Sequence, residues 1–205
     1  MIRCSLHNHT NLCDGDDAPR AMLDAAVAAG FTDFGFSGHS HDPGFAESLR
    51  DHGAYIEAVR ALAPEYADSL RVYCGIEQDY WNEIGERSRY DYVIGSVHAV
   101  HEGSVSLCVD DTPERLADGI RDCFGGDGDA LVRAYYRLVA DNALRRRPDV
   151  IGHFDLLIKF NAGNRFFDEN SAAYRAAALE AAEACLSTGA VFELNTGGMS
   201  RGWRE

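Results

Sequence analysis

Short runs of β-branched and aromatic residues alternate along the chain with longer stretches whose apolar positions recur every three or four residues. Residues 1–6 form the first strand-like run. Pro19 then opens a helix after Asp16 and Asp17, with Met22, Ala25, Ala26 and Ala29 on its apolar face and Gly30 at its end. Residues 34–37 read as a second strand. Residues 47–62 read as a second helix, carrying Leu49, Tyr55, Ile56, Val59 and Leu62 and leaving at Pro64. Strands are expected at 70–76 and 92–97. Thr112, before Pro113, caps a helix through Phe124, and Gly125, Gly126 and Gly128 separate it from a longer one ending near Arg147. A strand at 150–153, a helix at 169–187 and a strand at 190–194 complete the series. Such alternation is the signature of α/β units with parallel strands. No linker, repeat or low-complexity segment divides the chain, so residues 1–205 read as one domain.

The same pattern places polar residues where the apolar runs stop. His7 and His9 follow the first strand, His39 the second, Glu77 the third, His98 the fourth, His153 the fifth and Asn195 the sixth. In barrels of parallel strands the C-terminal strand ends converge on one face, where active sites sit.

Composition bounds the picture. The 205 residues fall somewhat short of the roughly 250 of a complete eight-unit α/β barrel. The chain holds 19 Lys and Arg against 33 Asp and Glu, a formal charge of −14, with no basic block, which argues against nonspecific nucleic-acid binding. No stretch reaches the roughly 18 apolar residues of a membrane span. The six cysteines lie in apolar surroundings without a Cys-x-x-Cys pair and read as reduced, mostly buried thiols of a cytoplasmic protein.

Two histidines two residues apart on an extended segment, His7 and His9, point to one side and can both ligate one ion. Asp14 in Asp14-Gly15 would alone be a turn aspartate. His39, Glu77 and His98 each end a buried run, where a titratable side chain is costly unless it is paired or bound to a metal. Taken together they read as a metal site, with His and carboxylate donors that accept Zn, Mn or Fe.

The motifs His7-Asn8-His9, Asp14-Gly15, Gly38-His39-Ser40, Gly75-Ile76-Glu77, Gly95-Ser96-Val97-His98 and Gly152-His153-Phe154-Asp155 resemble those of the PHP (polymerase and histidinol phosphatase) family. The segments 91–98, 151–156 with Lys159-Phe160-Asn161, and 193–197 with Ser200-Arg201-Gly202 resemble its monofunctional histidinol-phosphatase branch. This resemblance implies a distorted (β/α)7 barrel and two or three divalent ions. His7, His9, Asp14, His39, Glu77, His98 and His153 would be the metal ligands, Glu77 bridging and, with His98, closest to the chemistry. Family members continue into a further strand ending in Asp-x-His, so this sequence reads as C-terminally truncated, without its last strand unit and two ligands. Gly38 departs from the acidic residue that many members carry before the histidine.

Arg201 is the candidate for gripping a substrate phosphate, because its planar fork matches phosphate oxygens, and Lys159 could add a second charge. Arg145, Arg146 and Arg147 sit at a helix C-terminus, where cations complement the helix dipole. The leading expectation is a metal-dependent phosphatase cleaving L-histidinol phosphate to L-histidinol and phosphate in histidine biosynthesis. The alternatives are a phosphoesterase for nucleotides or other small esters, or a degenerate metal-binding protein without activity. An amidohydrolase-type site fits less well, since Glu77 stands where a bridging lysine would be expected. The partner is a small phosphate ester rather than nucleic acid or membrane, and the oligomeric state is open.

Overall fold

A computed structural model describes residues 3–103, 105–200 and 202 and divides the chain into two compact units, one ending at Ile94 and the other starting at Gly95. In the first unit, β1 (Cys4–Ser5), β2 (Asp33–Phe36) and β3 (Arg71–Cys74) form a parallel sheet in that order, Ser5 opposite Phe34 and Phe36 opposite Cys74. The connections are α1 (Pro19–Ala28) and α2 (His52–Tyr66), as parallel neighbours require. At the entrance to the sheet Arg71 grips Asp33 with two hydrogen bonds of 2.6 and 2.7 Å.

Pro19 starts α1, where its fixed φ suits the first turn and its missing N–H costs nothing. The buried face of α1 is Pro19, Leu23 and Ala26; of the expected stripe, Ala26 is buried and Met22 packs partly buried against the core, while Ala25 and Ala29 are exposed. Leu23 offers far more apolar surface than any alanine, so it turns inward and the flanking alanines stay outside. The second helix begins later than the spacing predicts. Asp51 caps it by accepting the Ala54 N–H, while Leu49 is buried from the turn that precedes the cap. The helix also runs past Pro64 to Tyr66, because a proline in the final turn sacrifices only one hydrogen bond.

The strand expected at 70–76 is two strands. Gly75 breaks it, and β4 (Ile76–Asp79) continues with all four residues buried. The Glu77 N–H bonds to the Gly38 carbonyl and the Ser40 N–H to the Glu77 carbonyl, which sets His39 beside Glu77. Leu23, Phe34, Phe36, Leu49, Tyr55, Val59 and Ile76 anchor the core of this unit.

Strand β5 (Val93–Ser96) leads into the second unit. There β6 (Ala99–Glu102) and β7 (Val105–Cys108) form an antiparallel hairpin that the hydrophobic pattern does not announce. Helix α3 (Pro113–Phe124) starts as expected, with the Thr112 hydroxyl accepting the Arg115 N–H, and ends at Gly125, whose φ of 61° suits a residue without Cβ. Helix α4 (Gly128–Arg146) buries Leu131, Val132, Tyr135, Tyr136 and Val139 and meets α5 (Ala172–Ser187), where the Tyr136 and Tyr174 hydroxyls bond at 2.9 Å. Strands β8 (Val150–Ile151) and β9 (Val191–Phe192) pair in parallel, both shorter than expected, and α6 (Gly197–Ser200) is a single unforeseen turn. Parallel neighbours joined by helices make this a mixed α/β fold.

No helix among the described residues is long and apolar enough to cross a membrane. All six cysteines are free thiols. Only Cys74 and Cys185 are buried, fewer than their apolar surroundings imply, and Cys4 is exposed.

Candidate metal centre

The first unit brings together five of the seven expected ligands, with His7, His9, Asp14 and His39 grouped about the buried Glu77. Asn8 directs the opening pair: its backbone exchanges hydrogen bonds with Ser37, and its side-chain amide donates to the carbonyls of Ser5 and Gly35. With Asn8 fixed against β2, His7 and His9 project together on the other side. Their Nε2 atoms lie 3.2 and 3.3 Å from Glu77 Oε2, and His39 Nδ1 lies 3.1 Å from the same oxygen. The Glu77 side chain is 0 % exposed. Three imidazole nitrogens around one carboxylate oxygen exceed its two lone pairs, a crowding that hydrogen bonding alone does not reward.

Asp14 is the second carboxylate. Its oxygens lie 2.9 Å from His9 Nδ1 and 3.5 Å from His39 Nε2, so His9 and His39 each stand between two carboxylates. The turn that brings Asp14 there is closed by Cys13 and Gly15 N–H groups, both bonded to the Thr10 carbonyl. Gly15 is required, since a Cβ at that position would run into the His9 backbone.

The electrostatics carry the same message. Burial pulls the His9 pKa down, but hydrogen bonds with Asp14, Cys13 and Glu77 outweigh it and raise the value to about 12. Burial likewise penalises ionised Asp14, yet His39 and His9 hold its carboxyl far below the usual range. Positive charge is therefore demanded between the two carboxylates. Three nitrogen and two carboxylate donors make a set that suits Zn, Mn or Fe, so the residues present fit a divalent ion.

The second unit holds the remaining two expected ligands together. The His98 and His153 rings lie 4.8 Å apart, edge to face. His153 is buried, and its backbone N–H donates to Glu193 at 2.7 Å. Lys159 Nζ donates to the Asp110 carbonyl at 2.8 Å and faces Asp110 Oδ2 at 3.4 Å. Burial raises the Asp110 carboxyl, but His98 and Lys159 overcome it and the net shift is downward. Asn195 is exposed and accepts the Gly197 N–H. Arg201 lies outside the described residues.

Three neighbours of these groups escaped the sequence reading. Asp110 follows a strand that is not recognisable as one. Glu193 lies within a run read as apolar strand. Cys13, 3.6 Å from His9 Nδ1, immediately precedes Asp14 and in the sequence looks like any other thiol in apolar surroundings.

Comparison with known proteins follows the same line. A model of the PHP domain family matches residues 5–197. A probable histidinol-phosphatase of Deinococcus radiodurans is 33% identical over 170 residues, which cover 77% of this chain and 62% of that protein. The histidinol-phosphatase of Bacillus subtilis is 27% identical over 179 residues, covering 75% and 66%. The chain thus spans under two thirds of the length of these relatives. Among solved structures, hisK from Listeria monocytogenes superimposes with a TM-score of 0.71 at 21% identity, covering 91% of this chain and 78% of that one. The histidinol phosphate phosphatase of Lactococcus lactis, solved with zinc, L-histidinol and phosphate, gives 0.66 at 22% identity, covering 94% and 73%. With its family model matched across residues 5–197, the chain belongs to the PHP domain family.

Proposed function

We propose that the chain is a metal-dependent phosphoesterase of small phosphomonoesters, with L-histidinol phosphate as substrate and L-histidinol and phosphate as products. The observation that carries this reading is the convergence of His7, His9 and His39 on the buried Glu77, with Asp14 closing the other side. The names of the Deinococcus and Bacillus relatives, and the ligands of the Lactococcus protein, support the choice of substrate. The reading takes the family's distorted seven-unit barrel as the fold of one domain, two or three ions as cofactors and the cytoplasm as the compartment.

Divalent ions bound by such donors polarise phosphoryl oxygens and acidify water, so hydrolysis needs no side-chain nucleophile. The chain's own residues then have distinct tasks. Glu77, whose side chain is buried, would be the central carboxylate holding the ions. His7, His9, Asp14 and His39 fill the positions around it, and His98 and His153 are assigned as further ligands. Lys159 and Arg201 are assigned to the substrate phosphate. Global charge does not oppose an anionic substrate, because bound cations set the sign of the local field.

Phosphate release should be measured from L-histidinol phosphate, nucleoside monophosphates and sugar phosphates, each with Mn, Zn or Fe supplied. A higher kcat/KM for L-histidinol phosphate supports the proposal. A preference for another ester removes the substrate assignment, and metal binding without hydrolysis of any ester removes the activity.

A further inference from the structure

We propose that His52 is a positioning residue of the metal centre: its neutral imidazole joins Tyr90 to the loop that follows His39 and thereby holds that ligand in place. The inference rests on the metal-centre reading and adds a residue outside the donor set. His52 is the first residue of α2, directly after the cap Asp51, and is half-buried. Both of its ring nitrogens are engaged. The His41 backbone N–H donates to Nε2 at 3.2 Å, and Nδ1 lies 2.8 Å from the Tyr90 hydroxyl oxygen. A backbone N–H can only donate, so Nε2 keeps its lone pair and Nδ1 carries the proton, which the Tyr90 oxygen accepts. Burial pushes the Tyr90 phenol up to about 12, so this partner stays uncharged near neutral pH.

The gripped loop folds on itself and returns to the ligand. The Asp42 N–H donates to the Ser48 hydroxyl at 2.9 Å, and the Phe45 N–H to the Asp42 carbonyl at 3.1 Å. The Leu49 N–H then bonds to the His39 carbonyl at 3.1 Å, and the Phe45 ring meets the His39 imidazole edge to face, with centroids 5.2 Å apart. Through His41, His52 fixes a loop that touches His39 at both backbone and ring. A proton on Nε2 would undo this: the acceptor disappears and two N–H groups face each other. Burial, His41 and Arg89 oppose that proton, the Ile84 backbone and Asp51 favour it, and the balance keeps the His52 pKa below its ordinary value. The link is therefore complete at neutral pH and opens as the pH falls below about 6.5.

Zinc-loaded wild-type protein, His52→Gln and His52→Ala test the assignment. Glutamine offers the His41 N–H an amide oxygen that does not titrate, whereas alanine offers no acceptor. Zinc affinity, measured by chelator competition, should fall at least about tenfold in His52→Ala and stay within about threefold of wild type in His52→Gln. Amide hydrogen exchange of peptides covering residues 41–49, read by mass spectrometry, should quicken at least about fivefold in the alanine variant alone. Between about pH 7.5 and 5.5 the same peptides, corrected for intrinsic exchange, should loosen in wild type and not in His52→Gln. That comparison needs only the glutamine variant, so it decides the matter even if the alanine variant unfolds. Equal losses in both variants, unchanged affinity and exchange in His52→Ala, or an acid response that His52→Gln shares overturns the role of His52 and leaves the metal-centre reading standing. Failure of the wild-type protein to bind zinc overturns both.

Discussion

The ring of Tyr92 occupies the space that a side chain at Gly75 would need. A Cβ built on Gly75 falls inside contact distance of three Tyr92 ring atoms, and one built on Gly35 meets the same ring. The Tyr92 hydroxyl lies within hydrogen-bond reach of the carbonyls of Leu6 and Phe36, which share its single proton. One aromatic side chain thereby links the segment leading to His7 with the strand break that precedes Glu77.

Gly75→Ala is expected to destabilise the protein by about 1–3 kcal/mol, because the new methyl would collide with the buried Tyr92 ring. For a chain of this size the melting temperature should fall by about 2–4 °C per kcal/mol. Thermal denaturation followed by circular dichroism checks this, and an unchanged midpoint would contradict the packing described.

Glu77→Gln keeps the shape of the side chain and removes its charge. Metal affinity should drop by at least about 100-fold, beyond what loss of an orienting neighbour typically costs. The wild-type protein should gain about 2.7 kcal/mol of stability with metal at 100 times its Kd and lose it on chelation, whereas the variant should gain little. Urea titrations with and without metal separate the two, and an equal metal increment in both proteins would remove Glu77 from the centre.

The Asp33–Arg71 pair makes stability depend on acid. Hydrogen bonds from Arg71 and Thr32 hold the Asp33 carboxyl below its ordinary value. In the unfolded chain it titrates near ~3.9, so ionised Asp33 stabilises the fold above that pH, and the contribution is lost as pH falls through the lower folded value. Asp33→Asn should therefore be less stable than wild type at neutral pH, with the gap closing below about pH 4. A gap that stays constant from pH 7 to pH 3 would sink the assignment.

Lys159 has two roles to separate. Lys159→Met leaves the carboxylate of Asp110 without its cation and should cost about 1–3 kcal/mol in stability. If the ammonium also meets the substrate phosphate, KM should rise while kcat changes less, and Lys159→Arg should restore part of both losses. A stability loss with unchanged KM would confine Lys159 to holding Asp110.

What the sequence reveals follows from how local each signal is. The positions expected to bind metal stand out because titratable residues end apolar runs, and a buried charge needs a reason within the linear pattern itself. Helices α3 and α4 are legible to within a residue because Thr112, Gly125 and the glycine-rich connection act locally. The start of α2 is not, because Leu49 is buried from a turn and continues the helical spacing by coincidence. The Asp33–Arg71 clamp joins residues whose partnership exists only once β2 and β3 align. Tyr92 gives no sign that it rests on Gly35 and Gly75, since close approach is a property of the packed chain.

The hairpin after His98 also has an engineering consequence. Its two arms leave and return at one fixed point, where the Val109 N–H bonds to the His98 carbonyl at 2.9 Å. Val100 and Leu107 face each other and are buried, while His101, Glu102, Val105 and Ser106 beyond them are exposed. The exposed end of the hairpin is thus a natural cassette: a tag, a fluorophore or a longer loop inserted between Glu102 and Val105 is expected to leave His98 and Asp110 in place at its base.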